Sequence, residues 1–320
     1  MNILFTSPGR RVELVETFRN NFPLKTKFFG TDYDSTSPAS YFLDRVYKVP
    51  YKIDDKYAKR VLDICIDNDV KITIPLIDPE LFYLAKYRDE FYKNGISLMI
   101  SSFAKIKIAF DKLKTFRFLK KHNLPTPQTW LPSQLSEDIP NLPIIIKPRK
   151  GSSAKGIRIL KSIEEFNSII KIIDNDYIVQ KYIYGYEVTV SLFGDEKGNC
   201  YEIVQRKRLK VRGGEIERGV TIKDPSIFQI TKEFVEKYRP NGAINIQFIV
   251  NKDKYKILEI NPRFGGGYPL AHHAGANFPQ LILNTLLGKE NKINVGNYTE
   301  NLYMFRYDKA IYTKDLIKLC

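Results

Sequence analysis

The sequence predicts an α/β protein in two parts, a parallel α/β region followed by an α+β region. Strand and helix patterns alternate over the first hundred residues, whereas the later segments pair as hairpins. Of the 320 residues, 43% are hydrophobic and 27% are charged, which is typical of a folded globular chain. A chain of this length usually forms more than one hydrophobic core, so two or three packed subdomains are expected.

The first hundred residues read as a Rossmann-like domain, residues 1–103. The predicted strands are "NILFTS", "KFFGTD", "KITIPLI" and "ISLMI", with helices in "RRVELVETFRNNF", "DKYAKRVLDICIDN" and "PELFYLAKYRDEFYKN". This alternation predicts a parallel sheet with helices on both faces. Functional groups then belong at the carboxyl ends of the strands, in "TSPGRR", "TDYDSTSP" and "PLIDPE". The GxGxxG fingerprint is missing, so a dinucleotide cofactor is not expected.

Residues 104–182 read as linker helices and a small hairpin subdomain. The pattern is helical from Phe103 to His122 and ends at the prolines of "LPTPQTW". Two strands then flank the loop "RKGSSAKG", which is not a Walker loop because no helix follows it. Ser162 and Glu165 form a capping box before the next helix, and the strand "YIVQKYI" follows.

The last part, residues 183–320, reads as mostly antiparallel. Its clearest element is the hairpin "AINIQFIVNKDKYKILEIN", followed by "PRFGGG" and a helix in "FPQLILNTLLG". Alternation places Asn245 and Gln247 on one face of the first strand. With an odd loop, such as residues 252–254, Gln247 would lie opposite Glu259.

The second strand of that hairpin carries an oxygen-rich face. Alternation predicts Ile257, Glu259 and Asn261 on one side. With Gln247, these side chains offer oxygen ligands and one formal negative charge, which suits Mg²⁺ when phosphate completes its shell. Arg263 follows within reach of phosphate oxygens. The alternative is a polar edge strand that leads into a glycine turn.

Composition narrows the class of protein. The formal net charge is +15, but the basic residues are interleaved with acidic ones, and patches such as "QRKRLKVRGG" lie beside glycines. That arrangement favours a compact polyanion such as a nucleoside triphosphate over a nucleic acid. Three scattered cysteines and three histidines predict neither disulfides nor zinc. No window resembles a membrane span or a secretory signal, so we expect a cytoplasmic protein.

The order of five motifs carries a resemblance to a known family. "FDKLKTFRFLKKHNLPTP", "IIIKPRKGSSAKGI", "VQKYIYGYEVTV", "NIQFIV" and "LEINPRFGGG" occur in that order. This succession resembles the ATP-grasp superfamily, most closely the carbamoyl-phosphate-synthetase large-subunit type. The first hundred residues resemble the domain that precedes the ATP-grasp fold in stand-alone members.

The resemblance implies a role for each matching residue. The implied nucleotide contacts are Lys112, Lys147, the loop with Gly151, Ser152, Ser153 and Gly156, the adenine-pocket residues Gln180, Lys181 and Ile183, and the ribose ligand Glu187. Gln247, Glu259 and Asn261 would hold magnesium, with Mn²⁺ as a substitute. Arg263 and Lys147 would be catalytic. Gln180 and Gln247 stand where many relatives carry carboxylates.

The implied activity is that of an ATP-dependent, ADP-forming carboxylate–amine ligase. Such an enzyme makes an acylphosphate that an amine or another nucleophile attacks. Two alternatives stay open: phosphorylation of bicarbonate or carbamate, and a non-catalytic ATP-binding subunit. The expected partners are small-molecule carboxylate and amine substrates, with no membrane and no nucleic acid; a homodimer stays open.

The sequence does not decide which residues bind the substrates. The candidates are Arg208, Arg212, Arg218, Gly266 and His272, together with the turn "TSPGRR". The arginines would hold a carboxylate. A histidine at a helix start is more often structural, whereas "TSPGRR" is as readily a surface turn.

Overall fold

The computed structural model describes residues 1–135, 140–151 and 156–320. Their strands form three sheets. The first is parallel, in the order β3-β2-β1-β4-β5, and consists of β1 (Asn2–Thr6), β2 (Lys27–Asp32), β3 (Arg45–Lys48), β4 (Val70–Pro75) and β5 (Ser97–Leu98). Its helices are α1 (Val12–Asn21), α2 (Asp55–Asp67), α3 (Asp78–Lys86) and α4 (Arg88–Lys93).

Both faces of this sheet are covered, as its sequence predicts. Ile3 and Phe5 pack with α1, whereas Leu4 between them packs with α2. The structure corrects one detail, because β3 is a parallel edge strand that the sequence reading missed. Only two of its four residues are buried, so it lacks a strong apolar pattern.

A pair of helices leads into the second sheet. The predicted helix from Phe103 to His122 is two helices, α5 (Phe103–Phe110) and α6 (Lys112–Lys121). Asp111 has extended backbone and accepts hydrogen bonds from the first N–H groups of α6. A capping aspartate starts a new helix here, and this ends the longer helical pattern.

The second sheet is antiparallel, in the order β6-β9-β7-β8. It consists of β6 (Thr129–Trp130), β7 (Ile144–Pro148), β8 (Arg158–Leu160) and β9 (Tyr177–Lys181), with α7 (Ile163–Ile170) between the last two. The predicted capping box is confirmed: the Glu165 N–H donates to Ser162 Oγ at 3.2 Å, and the Ser162 N–H donates to Glu165 Oε2 at 3.3 Å.

The third sheet is antiparallel and six-stranded, in the order β14-β13-β10-β11-β12-β15. Its strands are β10 (Tyr186–Gly194), β11 (Cys200–Arg212), β12 (Glu215–Ile222), β13 (Gly242–Asn251), β14 (Lys254–Asn261) and β15 (Tyr303–Phe305). Its helices are α8 (Pro225–Tyr238), α9 (Tyr268–His273) and α10 (Phe278–Leu286).

An aromatic core fixes the first sheet against the third. The ring of Phe18 on α1 lies 5.0 Å from Phe5 and 5.6 Å from Phe264, centroid to centroid, in edge-to-face contacts. Phe264 in turn lies 6.1 Å from Phe278 on α10. These contacts hold the segment after β14 against the carboxyl end of the parallel sheet. Within the described residues, no helix has the length and apolar character to span a membrane.

Candidate active site

The β13–β14 hairpin brings Gln247 opposite Glu259, as the sequence reading expects. The loop differs from the expectation, because Asn251 pairs with Lys254 and only two residues connect the strands. That loop alone would place Gln247 opposite Leu258. A bulge after Gln247 supplies the extra residue and restores the expected pair.

The same bulge corrects the predicted face of Ile257. Ile257 pairs with Phe248 and is fully buried in the core behind the sheet, with Ile260 beside it. Strict alternation had placed Ile257 with Glu259. The bulge separates them, so the face that carries Glu259 is more polar than predicted.

The predicted metal ligands Glu259 and Asn261 lie two residues apart on β14, and the third, Gln247, lies opposite Glu259 on β13. The side chain of Glu259 is 29% exposed, and its Oε1 lies 3.7 Å from Lys112 Nζ, a loose ion pair. Across the described ranges, no three His, Cys, Asp or Glu side chains form a metal cluster. The residues present fit a hard cation that takes one carboxylate and two amide oxygens and completes its shell with phosphate and water.

Lys112 is positioned by the start of α6. Asp111 caps this helix and also binds Arg149 at the end of β7, with Arg149 Nη2 2.6 Å from Asp111 Oδ2. The Lys112 N–H donates to the Arg149 carbonyl at 3.0 Å, and its ammonium donates to the Gly151 carbonyl at 2.9 Å. The helix and the second sheet therefore hold this lysine between them.

Lys147 lies at the end of the apolar strand β7 and is 7% exposed. Burial lowers the pKa of its ammonium to about 8, an effect that Glu259 opposes and Lys112 reinforces. A buried ammonium is costly unless an anion compensates its charge. Lys112 and Lys147 together carry more positive charge than Glu259 compensates, so this region has an excess of positive charge.

The glycine-rich loop is described at its two ends. Gly151 has a φ of +112° and Gly156 a φ of +73°, values that favour glycine. Ser152 and Ser153, the predicted phosphate contacts between them, lie outside the described residues.

The predicted adenine-pocket residues lie at the junction of the second and third sheets. Gln180 is buried, and its side-chain amide donates to Thr129 Oγ1 at 2.7 Å. Lys181 is exposed, and Ile183 is half-buried on the connection to β10. The predicted ribose ligand, Glu187, accepts a 2.6 Å hydrogen bond from Arg208.

Arg263 makes a two-point ion pair with Asp78, the first residue of α3. Nε lies 2.8 Å from Asp78 Oδ1, and Nη2 lies 2.5 Å from Oδ2. Burial alone would lower the pKa of Arg263, but the charge and hydrogen bonds of Asp78 outweigh it and raise the pKa. The start of α3 thereby fixes the orientation of the guanidinium.

A carboxylate next to Asp78 holds the strand ends together. Glu80 is fully buried and accepts hydrogen bonds from Thr6, Ser7 and Tyr57 and from two backbone N–H groups, all within 3.1 Å. Burial raises the pKa of Glu80, although the hydrogen bonds from Tyr57, Thr6 and the backbone N–H groups lower it in part. Glu80 therefore fixes the turn that presents Asp78.

A second network fixes the backbone of Arg263. Asn245 donates to the Arg263 carbonyl at 2.6 Å and accepts from Ser191 at 2.8 Å. Arg206, 1% exposed, donates to Ser191 at 2.6 Å. Burial lowers the pKa of Arg206 to about 9, and Gly267 packs against it so closely that a Cβ there would lie 2.1 Å from Nη1.

The turn "TSPGRR" also reaches this glycine segment. Arg11 Nη2 lies 3.7 Å from Glu215 Oε1, and Arg306 Nη1 lies 3.4 Å from the other oxygen of Glu215. Arg306 also donates to the carbonyl of Gly266. Gly266, one of the substrate candidates, is therefore surrounded by these charged groups.

The other substrate candidates lie in different surroundings. Arg208 is 10% exposed beside Glu187, on the site face of the sheet. Arg212 binds Asp308 at the tip of β11, and Arg218 is exposed where β12 pairs with β15. His272 is half-buried, with Nδ1 3.1 Å from the Ala276 carbonyl, and burial lowers its pKa. The contacts of His272 are those of a structural residue.

The sequence analysis did not identify six residues that contact the candidate site residues or support them. They are Asp78, Glu80, Asn245 in its role beside Arg263, Arg206, Glu215 and Arg306. Asp78 and Glu80 lie in "PLIDPE", which the strand-end rule had marked as a functional segment. Arg206 lies in "QRKRLKVRGG", which the charge pattern had marked. In both cases the segment was identifiable but the individual residue was not.

Comparison with protein-family models assigns the parts of the chain. Residues 174–308 match the model described as ATP-grasp in the biosynthetic pathway with Ter operon. Residues 109–213 match the D-ala D-ala ligase C-terminus, and residues 3–99 match the PylC-like N-terminal domain. Two ATP-grasp-type models thus follow a separate N-terminal domain.

The curated relatives include carbamoyl-phosphate synthases. The enzyme of Methanobrevibacter smithii is 25% identical over 285 residues, which cover 81% of this chain and 74% of the relative. The large chain of Caldanaerobacter subterraneus is 26% identical over 225 residues, covering 64% of this chain. This chain spans only about a fifth (21%) of that large chain.

Among solved structures, the biotin carboxylase domain of Hydrogenobacter thermophilus 2-oxoglutarate carboxylase has the same fold. The TM-score is 0.73 at 16% identity, over 94% of this chain and 73% of that one. That structure contains ADP, its magnesium salt and bicarbonate.

Proposed function

We propose that this chain, which belongs to the ATP-grasp superfamily, is a ligase that phosphorylates a carboxylate with Mg-ATP and lets an amine displace the phosphate. The observation that carries this proposal is the ion pair of Lys112 with Glu259, with Nζ 3.7 Å from Oε1, together with the buried Lys147, on whose pKa both residues act. Two cations and one acidic ligand at the mouth of a glycine-rich hairpin suit a triphosphate with a bound divalent cation.

The reaction would need little covalent chemistry from the protein. A carboxylate oxygen attacks the γ-phosphorus, the bond to ADP breaks, and an acylphosphate forms. An amine then attacks the acyl carbon and phosphate leaves. Positioning and neutralised charge supply most of the catalysis in phosphoryl transfer.

Each of the candidate site residues would have its own role in this reaction. Lys112 and Lys147 would neutralise the phosphate oxygens, and Arg263 would face the transferred phosphoryl group in the orientation that Asp78 gives it. Magnesium, held by Glu259, Asn261 and Gln247, would draw charge from the phosphate oxygens. The glycine-rich hairpin would cover the triphosphate and limit access of water to the acylphosphate.

The test is phosphate release from Mg-ATP with pooled carboxylic acids and pooled amines. We expect release that needs an acid and an amine together and that Glu259→Ala abolishes. Glu236→Ala, on the exposed side of α8, is the matched control and should retain the wild-type rate. Failure to bind Mg-ATP would refute the proposal.

Phosphorylation of bicarbonate is the second candidate. It is favoured by the relatives, which are carbamoyl-phosphate synthases, and by the bicarbonate in the biotin carboxylase domain. Release that needs bicarbonate and no other acid would favour this alternative. Tight Mg-ATP binding without turnover on any pool would favour the non-catalytic subunit.

A further inference from the structure

A cavity of about 240 Å³ opens beside Glu259 and Asn261, between the parallel sheet and the third sheet. The residues that line it come from α3, α5 and the end of β14, together with Lys112 and Gly151. It is therefore continuous with the predicted phosphate end of the site.

The walls of the cavity are apolar. Leu81 and Ile106 are 2% and 1% exposed, and the ring of Phe110 is braced by Phe82 at 5.3 Å. The lining has further uncharged side chains, which are Pro79, Ala109, Ile260 and Pro262.

Four residues of the lining have charged or amide side chains. They are Lys112, Glu259 and Asn261, together with Asp78. The charge of Asp78 is already matched by Arg263. The cavity thus combines a charged group of residues, in which Lys112 contacts both Glu259 and Gly151, with apolar walls.

We propose that this cavity binds the apolar side group of the carboxylic acid whose carboxylate is phosphorylated. This inference rests on the proposed function and names the substrate class, an acid with a branched, straight-chain or aromatic group about the size of a leucine or phenylalanine side chain. The carboxylate lies beside the charged residues, and the apolar group contacts the apolar walls.

The size of the cavity supports this occupant. Whole drug-sized ligands need about 300–1,000 Å³, so the cavity suits one side group rather than a nucleoside. Bicarbonate and glycine have no apolar group and would leave the walls unfilled, whereas filling such walls typically improves kcat/KM at least about tenfold.

The experiment uses hydroxylamine as the nucleophile, since it traps acylphosphates as hydroxamates and the natural amine need not be known. The acids are acetate, glycine, bicarbonate, hexanoate, leucine and phenylalanine, each with Mg-ATP. Ala109→Trp fills the cavity, Ala109→Leu fills it in part, and Ala104→Trp on the exposed side of the same helix is the matched control. Mg-ATP binding is measured separately for each protein.

We expect the wild type to use at least one acid with an apolar group about tenfold better than acetate, glycine or bicarbonate. Ala109→Trp should lower that ratio about tenfold, and Ala109→Leu should lower it less and remain informative if the larger residue prevents folding. Ala104→Trp should keep the ratio.

A wild-type preference for acetate, glycine or bicarbonate would overturn the assignment, as would an unchanged ratio in both Ala109 variants. Where acetate or glycine is preferred or the ratio is unchanged, hydroxamate still forms, so the ligase function stands without the cavity. A preference for bicarbonate, which would give N-hydroxycarbamate and phosphate, favours the second candidate function. Hydroxamate from no acid despite Mg-ATP binding would refute the ligase function, and the cavity assignment with it.

Discussion

Arg263 and Asp78 are 185 residues apart in the chain and share two hydrogen bonds, one at 2.8 Å and one at 2.5 Å. Both side chains are less than a fifth exposed. The pair joins the parallel sheet to the segment after β14. It orients the arginine and also keeps its charge compensated.

Asp78→Asn should therefore affect both stability and turnover. The half-buried guanidinium loses its counter-charge, so we expect the free energy of unfolding to fall by about 2 kcal/mol. Arg263 also loses its fixed orientation, so turnover should fall at least about tenfold with a smaller effect on Mg-ATP affinity. Urea unfolding and steady-state kinetics measure the two effects; unchanged turnover would show that Arg263 does not act in the reaction.

Lys147 should take up a proton when Mg-ATP binds. Its pKa of about 8 in the free protein lies below the ordinary value of 10.5 because the ammonium is buried. At pH 8.5 most of the free protein carries a neutral lysine, and the phosphates raise the pKa so that the bound form is charged. We expect uptake of about 0.7 proton at this pH and little at pH 6.5.

Titration calorimetry in buffers of different ionisation enthalpy measures this uptake. Lys147→Met should abolish it, whereas Lys181→Met alters an exposed lysine of the same subdomain and should retain it at saturating nucleotide. Equal uptake in Lys147→Met would assign the proton to another group.

Asp111 caps α6 and binds Arg149, so its loss should cost more than the loss of a cap alone. We expect Asp111→Ala to lower the free energy of unfolding by about 2 kcal/mol and to weaken Mg-ATP binding through Lys112. Asp54→Ala removes the cap of α2, which has no such ion pair with an arginine in the described contacts. It should cost about 1 kcal/mol and leave nucleotide affinity unchanged; equal effects in the two variants would contradict this role.

Two neighbouring glycines should tolerate a methyl group differently. At Gly267 a Cβ would lie 2.1 Å from the buried Arg206 Nη1 and 2.5 Å from Ile216. We expect Gly267→Ala to cost about 2 kcal/mol, since neither neighbour has room to move. At Gly266 the nearest group is the carboxylate of Glu215, the mobile end of a side chain, so Gly266→Ala should cost less. Thermal unfolding of both variants tests this order, and a reversed order would contradict it.

The sequence predicted the alternation of the first sheet, the antiparallel hairpins and the Gln247–Glu259 pair. Gln247 lies opposite Glu259 as predicted, but the expected cause, a loop with an odd number of residues, is wrong. The loop is even, and a bulge at Leu258 supplies the missing residue. Bulges depend on twist and packing, and residue alternation carries no sign of them. This is also why Ile257 was placed on the wrong face.

Asp78 and Arg206 show a second limit of prediction from sequence, which concerns contacts between residues far apart in the chain. Both lie in segments that were predicted to be functional, one because it follows a strand and the other because it is rich in basic residues. Their partners are distant in sequence, and no local pattern pairs position 78 with position 263. The contacts that orient Arg263 therefore needed the structure.

The most direct test of the proposed ligase follows oxygen-18 from the carboxylate of the acid found in the screen. If the carboxylate attacks the γ-phosphorus, each turnover places one labelled oxygen in inorganic phosphate, and ADP is the other product. Glu259→Gln should produce no labelled phosphate, and Glu236→Gln should match the wild type. Phosphate without label, or label recovered in AMP, would contradict acylphosphate formation at this site.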